Sequence, residues 1–182
     1  MSAGNSKKGL DFSRHYTQEG VSPYDMFQYE MRTSVIRNPN GEKVFEMNNV
    51  EVPEHWSQIA TDILAQKYFR KAGVPQPNGG TGRETSVKQV AHRLADCWRS
   101  WGYKYGYVAS EHDAQVFYDE LVYSILIQSC APNSPQWFNT GLYNSYGIDG
   151  KAQGHYYVEP TTGPGAFQKR LRTSTATCML YT

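Results

Sequence analysis

Ser86-Val-Lys-Gln-Val-Ala-His-Arg-Leu-Ala-Asp-Cys-Trp-Arg-Ser-Trp-Gly102 is the stretch that decides the fold. Ser86 followed three residues later by Gln89 is a capping-box pattern. The serine oxygen takes a backbone N–H of the first turn, and the glutamine side chain reaches back to the N–H at the cap. Behind it Val87, Val90, Ala91, Leu94, Cys97, Trp98 and Trp101 recur at helical spacing and make one apolar stripe. Gly102 is the expected stop. A helix with one such stripe must bury it against other elements, so the flanking sequence is read for what packs on it.

Upstream, Trp56, Ile59, Ala60, Ile63, Leu64 and Lys67 share one face, and the spacing predicts a helix from Trp56 to Arg70. Downstream, Ser110-x-x-Asp113 opens a third helix through Ser129, with Phe117, Leu121, Ile125 and Gln128 on one side and Pro132 as its limit. A hairpin precedes the helices. Ser34-Val35-Ile36 and Val44-Phe45-Glu46-Met47 flank Asn38-Pro39-Asn40-Gly41, where Asn-Gly supplies positive φ. Val50-Glu51-Val52 reads as a further short strand ended by Pro53. Gly73 to Gly82 is too rich in Pro and Gly for a helix and reads as an exposed loop. Phe12 to Arg32 mixes aromatic and charged residues and reads as a loop with one helix. After Pro132 the periodicity is lost, and a Tyr/Gly-rich loop runs to about Gly165. The fold class expected is mainly α with a small β-hairpin (α+β).

Hydrophobic residues make 39% of the 182-residue chain with Tyr counted and Gly not. Exchanging its 14 Tyr for its 16 Gly gives about 40%, below the about 45–50% of ordinary globular domains. Much of the apolar content is aromatic, which suits surfaces half-buried against a partner. The net charge of +1 leaves no electrostatic footprint for nucleic acid or an anionic membrane. No apolar leader or membrane-length run is seen, so the chain is read as cytoplasmic. There is no internal repeat.

Cys97, Cys130 and Cys178 have no CxxC spacing and do not form a disulfide framework. Cys97, on the apolar stripe, reads as a buried inert thiol, and Cys130 as a small packed residue. His15, His55, His92, His112 and His155 show no metal-ligand spacing, so no metal is expected. His55 begins a helix and reads as a surface or capping residue. Gly79, Gly80 and Gly82 before Arg83 lack the rest of a phosphate loop.

The order of several motifs carries more. Gly9-Leu-Asp-Phe12, Gly20-Val-Ser-Pro-Tyr-Asp25, Val44-Phe45-Glu46 and Val52-Pro-Glu-His-Trp-Ser57 stand in sequence. Ala60-Thr-Asp-Ile-Leu-Ala-Gln-Lys-Tyr-Phe-Arg70, Glu84-Thr-Ser-Val-Lys-Gln89 and Asp119-Glu-Leu121 follow, then Asn133-Ser-Pro-Gln-Trp-Phe-Asn-Thr-Gly141 and Gln153-Gly-His-Tyr-Tyr-Val158. Together, from Gly9 to Gly163, they resemble the start of adenosylcobalamin-dependent (class II) ribonucleotide reductases. The long string Ala60–Arg70 and the Asn-Ser-Pro-Gln-Trp-Phe-Asn string are the specific ones.

The resemblance implies an N-terminal helical domain that leads into the first strand of a ten-stranded α/β barrel. It implies thiyl-radical reduction of a ribonucleotide, with adenosylcobalamin generating the radical in the complete enzyme. The Asn133-Ser134-Pro135 segment would lie beside the substrate phosphates. The chemistry of the residues is compatible with this, since a serine hydroxyl and backbone N–H can both donate to a phosphate oxygen and Pro135 restrains the chain. The residues alone favour a helix-terminating turn in which Ser134 caps the next element; the substrate contact is what the resemblance implies.

The end departs from the family. There, Gly-His-Tyr-Tyr-Val leads through a loop to a strand reading His-Pro-Gln-Pro-His-Ala-Cys-Phe-Ile-Gln, whose cysteine is one of the reducing pair. Here Thr173-Ser-Thr-Ala-Thr-Cys-Met-Leu-Tyr-Thr182 stands. It can be encoded ACA TCC ACA GCC ACA TGC ATG CTT TAT ACA. Read one nucleotide later, this is CAT CCA CAG CCA CAT GCA TGC TTT ATA CA, the family strand. A reading-frame slip between about Pro164 and Arg172 is therefore expected, and Cys178 is then not the redox cysteine. The competing reading keeps Cys178 as that cysteine with altered flanks.

The expected organisation is a disordered tail over 1–10, an N-terminal helical domain over 11–131, the start of the barrel region over 132–165 and an out-of-frame tail over 166–182. The expected function is the N-terminal part of an adenosylcobalamin-dependent ribonucleoside-diphosphate reductase, an enzyme by family. The chain alone is expected to be inactive, with no bound cobalamin and no catalytic residue unless Cys178 is in frame. Its partners would be a ribonucleotide and the barrel-carrying remainder, with neither nucleic acid nor membrane. The alternative is a split-gene subunit or interaction module docking on a separate barrel-carrying chain. Without its partner, the chain is expected to be poorly soluble or loosely packed.

Overall fold

The computed structural model describes residues 9–149 and the backbone of Tyr156–Val158 and Gln168–Arg170. It is an α+β arrangement built around one helix. A hairpin of β1 (Tyr29–Arg37) and β2 (Lys43–Pro53) is followed by α1 (Gln58–Ile63), which continues as a single wide π turn over Leu64–Tyr68. Two-residue strands β3 (Val74–Pro75) and β4 (Thr81–Gly82) precede α2 (Val87–Lys104). Then come α3 (Glu111–Leu126), α4 (Ser134–Asn139) and α5 (Leu142–Tyr146). Strands β5 (Tyr156–Val158) and β6 (Gln168–Arg170) pair antiparallel. The disordered tail expected over 1–10 is corrected at its end: Leu10 bridges to Val108, its N–H donating to Tyr107 O at 2.8 Å and its carbonyl accepting from Ala109 N–H at 2.9 Å. Residues 1–8 and most of 150–182, including His155 and Cys178, lie outside the described residues.

Helix α2 is the centre. Its capping box is complete: Lys88 N–H donates to Ser86 Oγ, and Gln89 Oε1 accepts from Ser86 N–H. Val87, Val90, Ala91, Leu94 and Ala95 are fully buried against β2, α3 and the segment Leu64–Phe69. Gly102 does not end the helix. It is packed under Val108, and the turn comes later at Gly106, whose φ is +69°.

The hairpin is longer than expected, and Val50–Val52 belongs to β2 rather than to a separate strand. The reason is a bulge. Arg32 pairs with Val50 and Ser34 with Met47, so Asn48 and Asn49 oppose the single residue Thr33, with Asn49 at φ +57°. The extra residue changes the strand's parity, which lets Met47, Val50 and Val52 all face the core despite their odd spacing.

The expected Trp56–Arg70 helix is corrected to one and a half turns of α-helix and a π turn. Ile59, counted on the apolar face, is 72% exposed, while Leu64, Ala65 and Phe69 are buried. The wide turn rotates the buried face away from the ideal period. Trp56 precedes the helix, and its indole N–H donates to Leu126 O at 2.7 Å. His55 approaches the same carbonyl at 3.2 Å, a capping role at the end of α3. Helix α3 stops at Leu126, short of Ser129, with Gln128 at φ +61°. Its buried face is Val116, Val122, Ile125 and Leu126, and Phe117 packs instead on Phe12. The Gly73–Gly82 loop contains the β3–β4 pair. Between Phe12 and Arg32 there is only a short 3-10 turn, Pro23–Met26, before β1 begins.

The segment Phe12–Thr17 lies across α3 and is held by three of its carboxylates. Asp113 accepts from Phe12 N–H, Asp119 pairs with Arg14 at 2.7 Å, and Glu120 accepts from the N–H groups of His15, Tyr16 and Thr17 and from Thr17 Oγ1. Desolvation pushes the Glu120 carboxyl pKa up, but these hydrogen bonds outweigh it and hold the value below the ordinary 4.5. A depressed folded value means the contribution is present above the unfolded value and is lost as pH falls through the folded one. Acidification below about pH 4 is therefore expected to release this strap before the helices melt, unstacking Tyr16 from Tyr123 (5.2 Å between ring centres). Glu120→Gln should loosen the strap at neutral pH and flatten its acid dependence, read from the near-ultraviolet circular dichroism of the tyrosines. A tyrosine signal that does not change between pH 6 and pH 3 would contradict this.

Candidate functional site

The site starts from a charge where the α2 stripe calls for an apolar residue. Arg93 lies three residues after Val90, and its side chain and that of Glu84 are both 0% exposed. Arg93 Nε donates to Glu84 Oε1 at 2.8 Å, Nη1 to Thr140 O at 2.8 Å and Nη2 to Trp137 O at 2.6 Å. Glu84 also accepts from Arg70 N–H at 2.7 Å and from the Tyr146 hydroxyl at 2.8 Å. Burial, and next the adjacent Glu84 carboxylate, push the Tyr146 phenol pKa upward, so it stays a donor. The arrangement obeys the rule that a buried charge must be paired and its remaining hydrogen-bonding groups satisfied.

This pair holds α4, which at six residues is too short to stand alone. The two carbonyls that Arg93 grips lie at the far end of α4 and just beyond it. Gly141 follows at φ +80°, and a Cβ there would come within 1.9 Å of the Arg93 carbonyl oxygen. Only glycine permits this approach between α4 and α2.

At the near end of α4 stand the three residues singled out in the sequence. Asn133 occupies the cap position, exposed, its carbonyl accepting from Gln136 and Trp137 N–H. Ser134 is exposed, and its hydroxyl lies 3.0 Å from the Tyr68 hydroxyl. Pro135 is half-buried. Ser134 therefore does not cap the next element; it is the first residue of α4, and Asn133 holds the cap position without a side-chain bond. Nearby Cys130 is half-buried, and Cys97 is buried in the core.

Tyr68 closes the π turn, and its ring lies against Trp137 and Phe138 at 5.5 and 5.2 Å. Beside it is a cleft of about 400 Å³ lined by Lys67, Tyr68, Phe69, Arg70, Lys71, Ala72, Phe138 and Asn139. The lining contains three cations and no carboxylate. A second cavity of about 300 Å³ lies under the strap, between Arg14, Tyr24, Tyr118 and Asp119. There burial, then the neighbouring Tyr118, push the Tyr24 phenol pKa upward.

Arg93, Glu84, Tyr68 and Gly141 entered the sequence reading only within longer strings, with no role of their own. One signal was available: an arginine inside an apolar stripe is rarely buried unless paired. The partner's identity depends on the tertiary fold. Glu84→Gln should cost about 3–5 kcal/mol, the scale for leaving a buried charge unpaired, read from urea denaturation. A loss under about 1 kcal/mol, the scale of an exposed pair, would rule out the central role given to this pair.

A sequence model of the family described as "Class II vitamin B12-dependent ribonucleotide reductase" matches residues 30–128. The chain is 49% identical over 183 aligned positions to the vitamin B12-dependent ribonucleotide reductase of Bradyrhizobium diazoefficiens, covering 85% of this chain and 14% of that protein. It is 44% identical to the protein of the same description from Agrobacterium fabrum, again over 85% of this chain and 14% of the relative. With that of Streptomyces clavuligerus the identity is 43% over 74% of this chain. The chain thus spans about one seventh of the length of the curated relatives it matches.

Proposed function

Because this chain belongs to the class II vitamin B12-dependent ribonucleotide reductase family, we propose that it is the N-terminal part of an adenosylcobalamin-dependent enzyme that converts ribonucleoside diphosphates to deoxyribonucleotides by thiyl-radical chemistry in the cytoplasm. The observation that carries this reading is the identity of 49% across 85% of the chain. Three cavities among the described residues, of about 160, 300 and 400 Å³, lie at or below the lower part of the range usual for small-molecule sites, and none of these three takes a corrin ring with its nucleotide arm. The cofactor, the radical cysteine and the reducing cysteines would belong to the barrel-carrying remainder, and the 182 residues alone are inactive.

The role of this segment is to support one wall of the substrate site. Residues 11–131 form the helical domain, and 132–165 begin the barrel region. Ser134 donates its hydroxyl to a substrate phosphate oxygen, with Asn133 and Pro135 fixing the backbone around it. What supports this is that Ser134 is exposed while the other end of its helix is tied to the buried Arg93–Glu84 pair. In a full-length polypeptide carrying this segment, Ser134→Ala should raise KM for the nucleotide about tenfold or more, the scale of a hydrogen bond to a charged group, with little change in melting temperature. An unchanged KM would remove Ser134 from the site.

Residues 166–182 are read as out-of-frame translation, which leaves Cys178 without a redox role. The test is the gene sequence from the Gly163 codon to beyond that of Thr182. A neighbouring frame continuing into His-Pro-Gln-Pro-His-Ala-Cys supports the slip. Codons that cannot encode that strand overturn it and return Cys178 to candidacy.

A further inference from the structure

We propose that the cleft beside Tyr68 and Phe138 binds the outer phosphate groups of a nucleotide polyphosphate, with Lys67, Arg70 and Lys71 as its cationic rim. This goes one step beyond the reading of Ser134 as a contact for the substrate phosphates, and rests on it for the identity of the ligand. Four observations converge. The chain carries a net charge of only +1, yet three cations and no carboxylate line this cleft. Among the described residues, neither Lys67 nor Lys71 is in an ion pair, and both are exposed. Phe69 leaves helical backbone at φ −61° and ψ 129°, so Arg70 and Lys71 do not continue around the helix, and both line the same cleft as Lys67. Finally, Tyr68 is shared, since it is one of the residues lining the cleft while its hydroxyl meets Ser134 at 3.0 Å. A ligand touching Ser134 therefore has the cleft next to it, past one tyrosine.

The chemistry suits phosphate. Lysines supply mobile point charges, and the Arg70 fork is held in place by its backbone N–H on Glu84 and its Nε–H on Ala72 O, at 2.7 and 2.9 Å. The Arg70 backbone is tied to the Arg93–Glu84 pair through Glu84, so on binding it is the two lysine side chains that must be ordered.

The test is titration calorimetry of the 182-residue chain with inorganic tripolyphosphate and with inorganic phosphate, comparing Lys67→Gln/Lys71→Gln with a control pair on other surfaces, Lys43→Gln/Lys104→Gln. Both pairs are exposed, and circular dichroism checks that each variant is folded. Tripolyphosphate should bind more tightly than phosphate, and Lys67→Gln/Lys71→Gln should weaken it about tenfold, as two exposed charge contacts predict, while the control pair leaves it unchanged. No saturable binding, or equal weakening by the control pair, overturns the proposal. Ser134→Ala separates the two readings. If it weakens tripolyphosphate binding and the lysine pair does not, the cleft fails and Ser134 stands. If the lysine pair weakens binding while Ser134→Ala changes neither binding nor KM in the full-length enzyme, the cleft stands and the reading of Ser134 fails.

Discussion

The ion pair between Arg93 and Glu84, withdrawn completely from solvent, is the constraint on which the rest of the site depends. Removing two charges from water carries a large desolvation penalty, and their mutual attraction offsets it only when the geometry is good and every remaining donor and acceptor is used. Here the remaining groups are used on backbone and side chains far apart in sequence: Arg70, Trp137, Thr140 and Tyr146. A pair of leucines in the same volume would pack, but could not specify which carbonyls lie beside them. The pair therefore sets register between segments as much as it contributes stability.

That register explains how a six-residue helix can hold an exposed serine hydroxyl in a fixed place. Helix α4 has too few internal hydrogen bonds to persist alone. It is held at its far end by the guanidinium and at the Gly141 turn by direct backbone contact with α2. Ser134 stands at the other end, meeting Tyr68 from the π turn. The π turn and the short helix are thus two irregular elements braced by a single buried pair, and the residues that face outward from them sit on a rigid base.

The opposite side of α2 uses partly exposed charges instead. Glu51 of β2 accepts from Lys88 at 2.8 Å and pairs with Ser86 at the helix start, while the Lys88 ammonium sits 3.7 Å from the centre of the Tyr29 ring. The hydrogen bonds, with smaller help from the Lys88 charge, outweigh desolvation and hold the Glu51 carboxyl below its ordinary value. These contacts orient the hairpin, and the bulge at Asn48–Asn49 aims its valines inward. Apolar side chains such as Met31, Ile59 and Phe138 remain on the surface.

Local periodicity was enough to find α2, its capping box, the third helix and the existence of a hairpin, because those features depend on neighbours three or four residues away. The ordered motifs from Gly9 to Val158 were enough to point to the family. What the sequence by itself did not determine was the bulge that joins Val50–Val52 to β2, the π turn that exposes Ile59, and the two short helices after Pro132. Nor did it show that Glu84 and Tyr146 would meet Arg93. Each depends on groups brought together across tens of residues, where the cost of an irregular backbone or a buried charge is offset only by contacts that exist once the chain has folded. Ser134 shows the division within a single residue. That its hydroxyl and N–H can donate to an anion follows from its residue type, but its place beside Tyr68, at one end of a helix anchored at the other, was decided by the tertiary structure.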